Sequence, residues 1–142
     1  RCTKLSLMTD EKGIPMSMLL MKGNKHDNDA FERHIDDAMI LLPKNKKKIL
    51  ADKGYTSKEN YELLESKGIE HIIPPRKNMK IYKTYTYSKT EYVKRTKIEN
   101  TFARLKKFRR LESRYDKKVK SFWGFIKLGC SIMIVEFMLR NK

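Results

Sequence analysis

The chain has 142 residues, 39% hydrophobic and 35% charged, with a net charge of +16. That is one domain or a large part of one, expected to fold as a single unit on a modest apolar reserve. Two distant cysteines, Cys2 and Cys130, exclude a disulfide framework and a cysteine-based metal site and fit a reducing compartment. The charge is uneven: residues 1–75 hold 13 Lys/Arg against 12 Asp/Glu, and residues 76–142 hold 20 against 5. So concentrated a positive charge repels itself unless a polyanion compensates it, and nucleic acid is the commonest such partner. No secretory signal is visible, and the longest uncharged run near the carboxyl end, Leu128 to Val135, falls short of the ~20 residues a bilayer span needs. The chain opens at Arg1 without an initiator Met and directly enters a strand-like pattern, which implies an upstream segment.

Lys4 to Thr9 and Ile14 to Met21 read as two strands joined by the polar turn Asp10-Glu11-Lys12-Gly13, which predicts a hairpin. Gly23-Asn24 then breaks the pattern. Asp27 or Asn28 is placed to cap a helix whose apolar positions Phe31, Ile35, Met39 and Leu42 recur every three or four residues before Pro43. Lys46 to Lys48 lead into the short apolar run Ile49-Leu50-Ala51, ending at Asp52. Thr56-x-x-Glu59 has the form of a capping box and opens a helix that should stop at Gly68. Ile69 to Ile73 is the next strand, closed by Pro74-Pro75. Strand, Asp, helix and strand make a βαβ unit, placing Asp52 at the carboxyl end of a strand, where open α/β sheets hold their ligands. Residues 76–90 form a basic connection with Tyr82, Tyr85 and Tyr87. They are suited to stack on exposed bases, with Lys80, Lys83 and Lys89 on phosphates, or simply to form a surface strand. A helix is predicted over 90–108, then a basic link through Arg109, Arg110 and Arg114. A long apolar helix from Val119 to Arg140 should pack on the sheet, with Phe122, Trp123 and Phe125 as core residues.

Within the 90–108 helix, Tyr92, Arg95, Glu99 and Lys106 fall in an arc of about 60° over roughly 21 Å, at about 100° and 1.5 Å per residue. Ile98, Phe102 and Leu105 form the adjacent apolar stripe, so one edge can be buried while the polar edge faces a cleft. A phenol, a guanidinium, a carboxylate and an ammonium on one face read as a site, against the plainer alternative of a solvated face with local Arg–Glu pairing. Asp52 likewise reads either as a turn-closing residue or as a ligand. With Glu99 it would supply two of the hard oxygen donors that Mg²⁺ prefers. Two-metal phosphodiester chemistry needs at least three clustered carboxylates, and Asp10, in the hairpin turn, is a poor third. His26 beside Asp27 reads as a helix entry; His34 and His71 have no companions at ligand spacing.

The spacing Tyr92-x2-Arg95-x3-Glu99-x6-Lys106 resembles the Tyr-Arg-Glu-Lys signature of bacterial insertion-sequence transposases of the Asp-Asp-Glu type. Leu50-Ala51-Asp52-Lys53-Gly54-Tyr55 is similar to that family's block around its second acid, and Ile72-Ile73-Pro74-Pro75-Arg76 to the strand and basic turn that follow. Gly23-Asn24-Lys25-His26-Asp27 and Leu105-Lys106-Lys107-Phe108-Arg109-Arg110-Leu111 resemble two further blocks, all in family order. The resemblance implies an α/β, ribonuclease H-like domain with a mixed sheet flanked by helices, of which residues 1–142 would be the carboxy-terminal part. It implies Asp52 and Glu99 as catalytic and metal-binding acids, using Mg²⁺ or Mn²⁺. Tyr92, Arg95, Lys106, Arg109 and Arg110 would bind DNA. The implied partners are double-stranded DNA, at transposon ends and target, and a second copy in an active homodimer, in the cytoplasm at the nucleoid and not at a membrane. The family's first Asp lies on a strand before the hairpin and is absent here. The rival reading is a catalytically incomplete DNA-binding remnant.

Overall fold

The computed structural model describes residues 3–42, 48–79 and 85–141. Cys2, Pro43, Lys46, Lys47, Lys80, Tyr82 and Lys83, named above, lie outside them. The chain divides into two compact units, residues 1–6 with 17–95, and residues 7–16 with 96–142. Among the described residues there are two two-stranded sheets rather than a single mixed one.

The hairpin consists of β1 (Thr3–Thr9) and β2 (Pro15–Lys22). Its open end belongs to the first unit and its turn to the second. Asp10 closes the turn, its carboxylate accepting from the backbone N–H groups of Lys12 at 2.9 Å and Ile14 at 2.8 Å. Gly13 takes φ +81°, a left-handed conformation that costs a residue with a Cβ about 1–2 kcal/mol.

In the first unit α1 (Asn28–Leu41) buries Phe31, His34, Ile35 and Ala38 along one side. Asp27 occupies its N-cap position, but the carboxylate makes no cap bond and instead pairs with Lys4 at 2.5 Å, so the expected side-chain cap is replaced by an ion pair to the hairpin. β3 (Lys48–Leu50), α2 (Lys58–Ser66) and β4 (Glu70–Ile72) form the predicted βαβ unit. The two strands pair in parallel with Lys48 opposite Glu70 and Leu50 opposite Ile72. The cap of α2 falls one residue later than predicted. Ser57 accepts from the Asn60 N–H at 3.1 Å, while Thr56 donates to the Pro74 carbonyl at 2.9 Å, so a tertiary acceptor wins the hydroxyl that the capping box would have used. Gly68 ends the helix as expected, at φ +62°. Phe31, Ile35, Leu64, Ile69 and Ile73 make the core here, and burying each side chain stabilises the fold by about 1.5–3 kcal/mol.

The predicted helix over 90–108 is not continuous. It is α3 (Lys89–Tyr92), a 3₁₀ turn (Val93–Arg95) and α4 (Thr96–Lys106), followed by a separate α5 (Arg109–Glu112). A 3₁₀ turn has three residues per turn and eclipses positions i and i+3. Tyr92 and Arg95 exploit that, the guanidinium lying 5.6 Å from the phenol ring centroid.

In the second unit α6 (Val119–Arg140) has its predicted bounds. Its buried residues Phe122, Ile126, Gly129, Cys130 and Met133 follow a three- or four-residue spacing. Its partners in this unit include α4, α5 and the hairpin turn. A Cβ on Gly129 would stand 3.2 Å from Leu111 and 3.3 Å from Leu105, so glycine permits this close approach, and Lys12 lies over the Phe137 ring at 5.4 Å. By length and composition alone α6 is apolar enough to cross a bilayer, contrary to the expectation drawn from its short uncharged run. Lys120, Lys127, Glu136 and Arg140 punctuate it.

Candidate functional site

Asp52 stands at the carboxyl end of β3, as predicted, because the parallel pairing continues through Ala51 N–H to the Ile72 carbonyl at 3.1 Å and then stops. Its Oδ1 accepts from the Lys53 N–H at 2.7 Å and begins the 3₁₀ turn Lys53–Tyr55. Asp52 thus closes a turn and stands exposed at a strand end; the two readings of this residue coexist. Arg76, from the basic turn after β4, donates to the Lys53 and Gly54 carbonyls at 3.4 and 3.2 Å and braces that loop.

Tyr92 and Arg95 belong to the same unit as Asp52. Burial pushes the Tyr92 phenol above its ordinary pKa; Arg95 opposes the shift and the negative charge of Asp52 adds to it, so the three groups share one electrostatic environment. Tyr87 packs edge-on to Tyr92 at 5.4 Å and Tyr85 lies 5.8 Å from Tyr87, giving an aromatic row that ends at Arg95. What brings α3 to this position is Lys48, whose ammonium bridges Glu70 of β4 at 2.8 Å and Glu91 of α3 at 2.7 Å. Those pairs hold Lys48 above its ordinary pKa, the bond to Glu70 first, and Glu91 below its own. A cleft beside this bridge is lined by Tyr61, His71, Tyr85 and Tyr87. It takes in the first residue of β3, whereas Asp52 follows the last, so this cleft lies away from the candidate acid.

Glu99 and Lys106 belong to the second unit, on α4. Seven residues apart, they project within about 20° of each other on an ideal helix, and both are exposed. Leu105 is buried and Ile98 and Phe102 half-buried on the adjacent stripe, as the spacing predicted. Lys106 and Arg109 line a shallow depression with Lys107 and Glu112. Arg110 extends over the Phe125 ring at 4.4 Å. The predicted stripe is therefore distributed, Tyr92 and Arg95 in one unit and Glu99 and Lys106 in the other.

Two buried polar groups carry no local signal in the sequence. Thr101, buried on α4, donates to the Gly13 carbonyl at 2.7 Å and fastens the helix bearing Glu99 to the hairpin turn. His34 is buried on α1, with Nε2 2.8 Å from Ser6 Oγ and Nδ1 2.7 Å from Ser17 Oγ, while Ser17 in turn donates to Asp37. The His71 ring lies tilted against that of Tyr61, with centroids 5.3 Å apart.

The donor chemistry of Asp52 and Glu99, two exposed carboxylates in a basic chain, suits a hard divalent cation. Among the described residues, however, no three His, Cys, Asp or Glu side chains come together in a group able to hold a metal ion. A complete two-metal cluster is not assembled from these residues.

Residues 1–134 match the family described as Transposase DDE domain. A Burkholderia cepacia protein named as a transposase for insertion sequence element IS402 is 28% identical over 137 residues, covering 92% of this chain. The chain spans 62% of that relative's length. No solved structure matches. Since the family match takes in almost the whole chain, including both candidate acids and the basic helix between them and α6, the chain belongs to the Transposase DDE domain family.

Proposed function

We propose that this chain is the carboxy-terminal part of a single ribonuclease H-like catalytic domain of an insertion-sequence DNA transposase. The enzyme would cut phosphodiester bonds at the element's ends and join the freed 3′ hydroxyl to target DNA. The observation that carries the reading is Asp52, exposed at the end of a parallel β3–α2–β4 unit in a chain whose family is defined by its acids. Strand-end carboxylates are where α/β sheets place reacting ligands.

Asp52 and Glu99 would hold Mg²⁺ or Mn²⁺ together with an acid from outside the described residues. When bound, the ion supplies charge neutralisation at the phosphate and activation of the attacking oxygen. The chain's own groups grip and orient DNA. Arg95, Lys106, Arg109 and Arg110 contact backbone phosphates, and Tyr92, backed by Tyr87 and topped by Arg95, presents its phenol within the electrostatic reach of Asp52. Double-stranded DNA, in a homodimer acting on the nucleoid in the cytoplasm, is the partner set this reading requires. α6 then serves as the packing helix of its unit and not as a bilayer span.

A second reading is a DNA-binding remnant without nuclease activity, which needs no three-acid group, and none forms among the described residues. One experiment separates them. In the chain extended by the sequence coded upstream, Asp52→Asn and Glu99→Gln should each lower metal-dependent nicking of the element's ends by orders of magnitude while metal-free DNA affinity stays equal or rises. Retained nicking by either variant refutes its catalytic assignment, and an extended chain that binds DNA but never nicks is the remnant.

A further inference from the structure

Arg114 is a non-glycine residue at positive φ, 42°, among the described residues, on the link between α5 and α6. Its guanidinium lies 5.1 Å from the Phe122 ring centroid, and that of Arg110 lies 4.4 Å from the ring of Phe125. Phe122 and Phe125 are three residues apart on α6, neighbours on the helix surface with Cβ atoms about 5–6 Å apart. Two guanidiniums are thus seated over the rings of neighbouring residues of one helix. Residues 113–135 add Lys117, Lys118, Lys120 and Lys127, and the last of these lies over Trp123 at 5.4 Å. Asp116 is the one acid in that stretch, and its Oδ2 is buried without a hydrogen-bond partner.

Packing alone does not account for this arrangement. A glycine would take φ 42° without strain, and an uncharged side chain would cover Phe122 without setting two cations side by side. Strained backbone at a fixed charge is the pattern of a ligand site, and planar guanidiniums held in place are matched to phosphate oxygens. We propose that Arg110 and Arg114, seated on Phe125 and Phe122, form a clamp for a backbone phosphate of duplex DNA, with Arg114 as a contact residue whose strained conformation aims it. This rests on the DNA reading above, which already gives Arg110 a phosphate contact, and adds Arg114 and the pairing of the two at the α5–α6 corner. It carries no sequence preference, because it touches only the backbone.

The test uses the 142-residue chain and a 20-base-pair duplex of arbitrary sequence in EDTA, with a thermal melt of each variant. Arg114→Gly should melt at or above the wild-type temperature, because the strain is relieved, yet bind the duplex about tenfold more weakly at roughly 0.1 M salt. Its plot of log K against log salt should be less steep by about 1. Phe125→Leu should also weaken binding but leave that slope unchanged, since it frees a guanidinium without removing a charge. Wild-type affinity in Arg114→Gly, or a lower melting temperature for it, overturns the clamp while leaving DNA binding itself standing. No salt-dependent duplex binding by the wild-type chain overturns the DNA reading and the clamp with it.

Discussion

The hydroxyl of Thr101 donates to the carbonyl of Gly13 at 2.7 Å across 88 residues of sequence, so the helix that carries Glu99 is set by a turn near the amino end. The same Oγ1 bonds the Lys97 carbonyl at 3.1 Å, and a Cβ on Gly13 would approach it to 3.1 Å. Thr101→Val keeps the shape and leaves the buried Gly13 carbonyl short of a donor, which should cost about 1–3 kcal/mol. Gly13→Ala adds left-handed strain to a crowded contact and should cost at least about 1–2 kcal/mol. Because both changes break one interface, the double variant should lose less than the sum of the two. Urea denaturation of the four proteins measures this, and strict additivity would show that the contact is not shared.

The β3–α2–β4 unit, the strand-end position of Asp52 and the span of α6 were legible because each is written locally, in apolar runs punctuated by Gly68, Pro74 and the charged links. The errors arose where a tertiary partner competed for a side chain. Thr56 gave its hydroxyl to Pro74 and left the cap to Ser57, and Asp27 turned to Lys4. The polar stripe of 92–106 assumed an unbroken 100° advance, but the 3₁₀ turn at Val93–Arg95 eclipses Tyr92 and Arg95 instead. Thr101, His34 and the positive φ of Arg114 left no trace in composition or period, since each is defined by residues distant in sequence or by a backbone angle.

His34 makes folding sensitive to acid. Burial, the largest influence, holds its pKa below the ordinary 6.5, with Arg33 acting in the same direction and Asp37 opposing. The unfolded chain therefore takes up a proton at His34 as the pH falls through 6.5, before the folded chain does. The stability from the neutral ring is fully present above 6.5 and is lost as the pH drops toward the depressed folded value. Wild type should lose more of its melting temperature between about pH 7.5 and about pH 5.5 than His34→Gln does. Equal losses in both would show that the Ser6–His34–Ser17 network does not discriminate between the protonation states.

Burial pushes the Cys130 thiol up to about 11, among the packed residues of α6. Since thiolate is the nucleophile, iodoacetamide at about pH 8 should leave Cys130 unmodified in the native chain and alkylate it in urea. Peptide mass mapping distinguishes it from Cys2. Rapid native alkylation of Cys130 would mean that α6 leaves its packing partners on the timescale of the reaction.

Binding to duplex DNA should be steeply salt-dependent, because residues 76–142 carry 20 Lys/Arg against 5 Asp/Glu. If about 6 phosphates are neutralised, log K should fall with log salt at a slope near −5. Arg95→Ala and Lys106→Ala should each reduce that slope by about 1 and weaken binding uniformly across sequences. Arg95 should have the broader effect, because its guanidinium also lies over the ring of Tyr92, so its loss frees that phenol as well as removing a charge. Asp52→Asn makes the contrast, since removing a negative charge from a surface that meets phosphates should hold or raise metal-free affinity. A slope unchanged in both Arg95→Ala and Lys106→Ala would show that these residues form only a solvated helix face, and a flat response in the wild type would remove duplex DNA as the partner of the basic half.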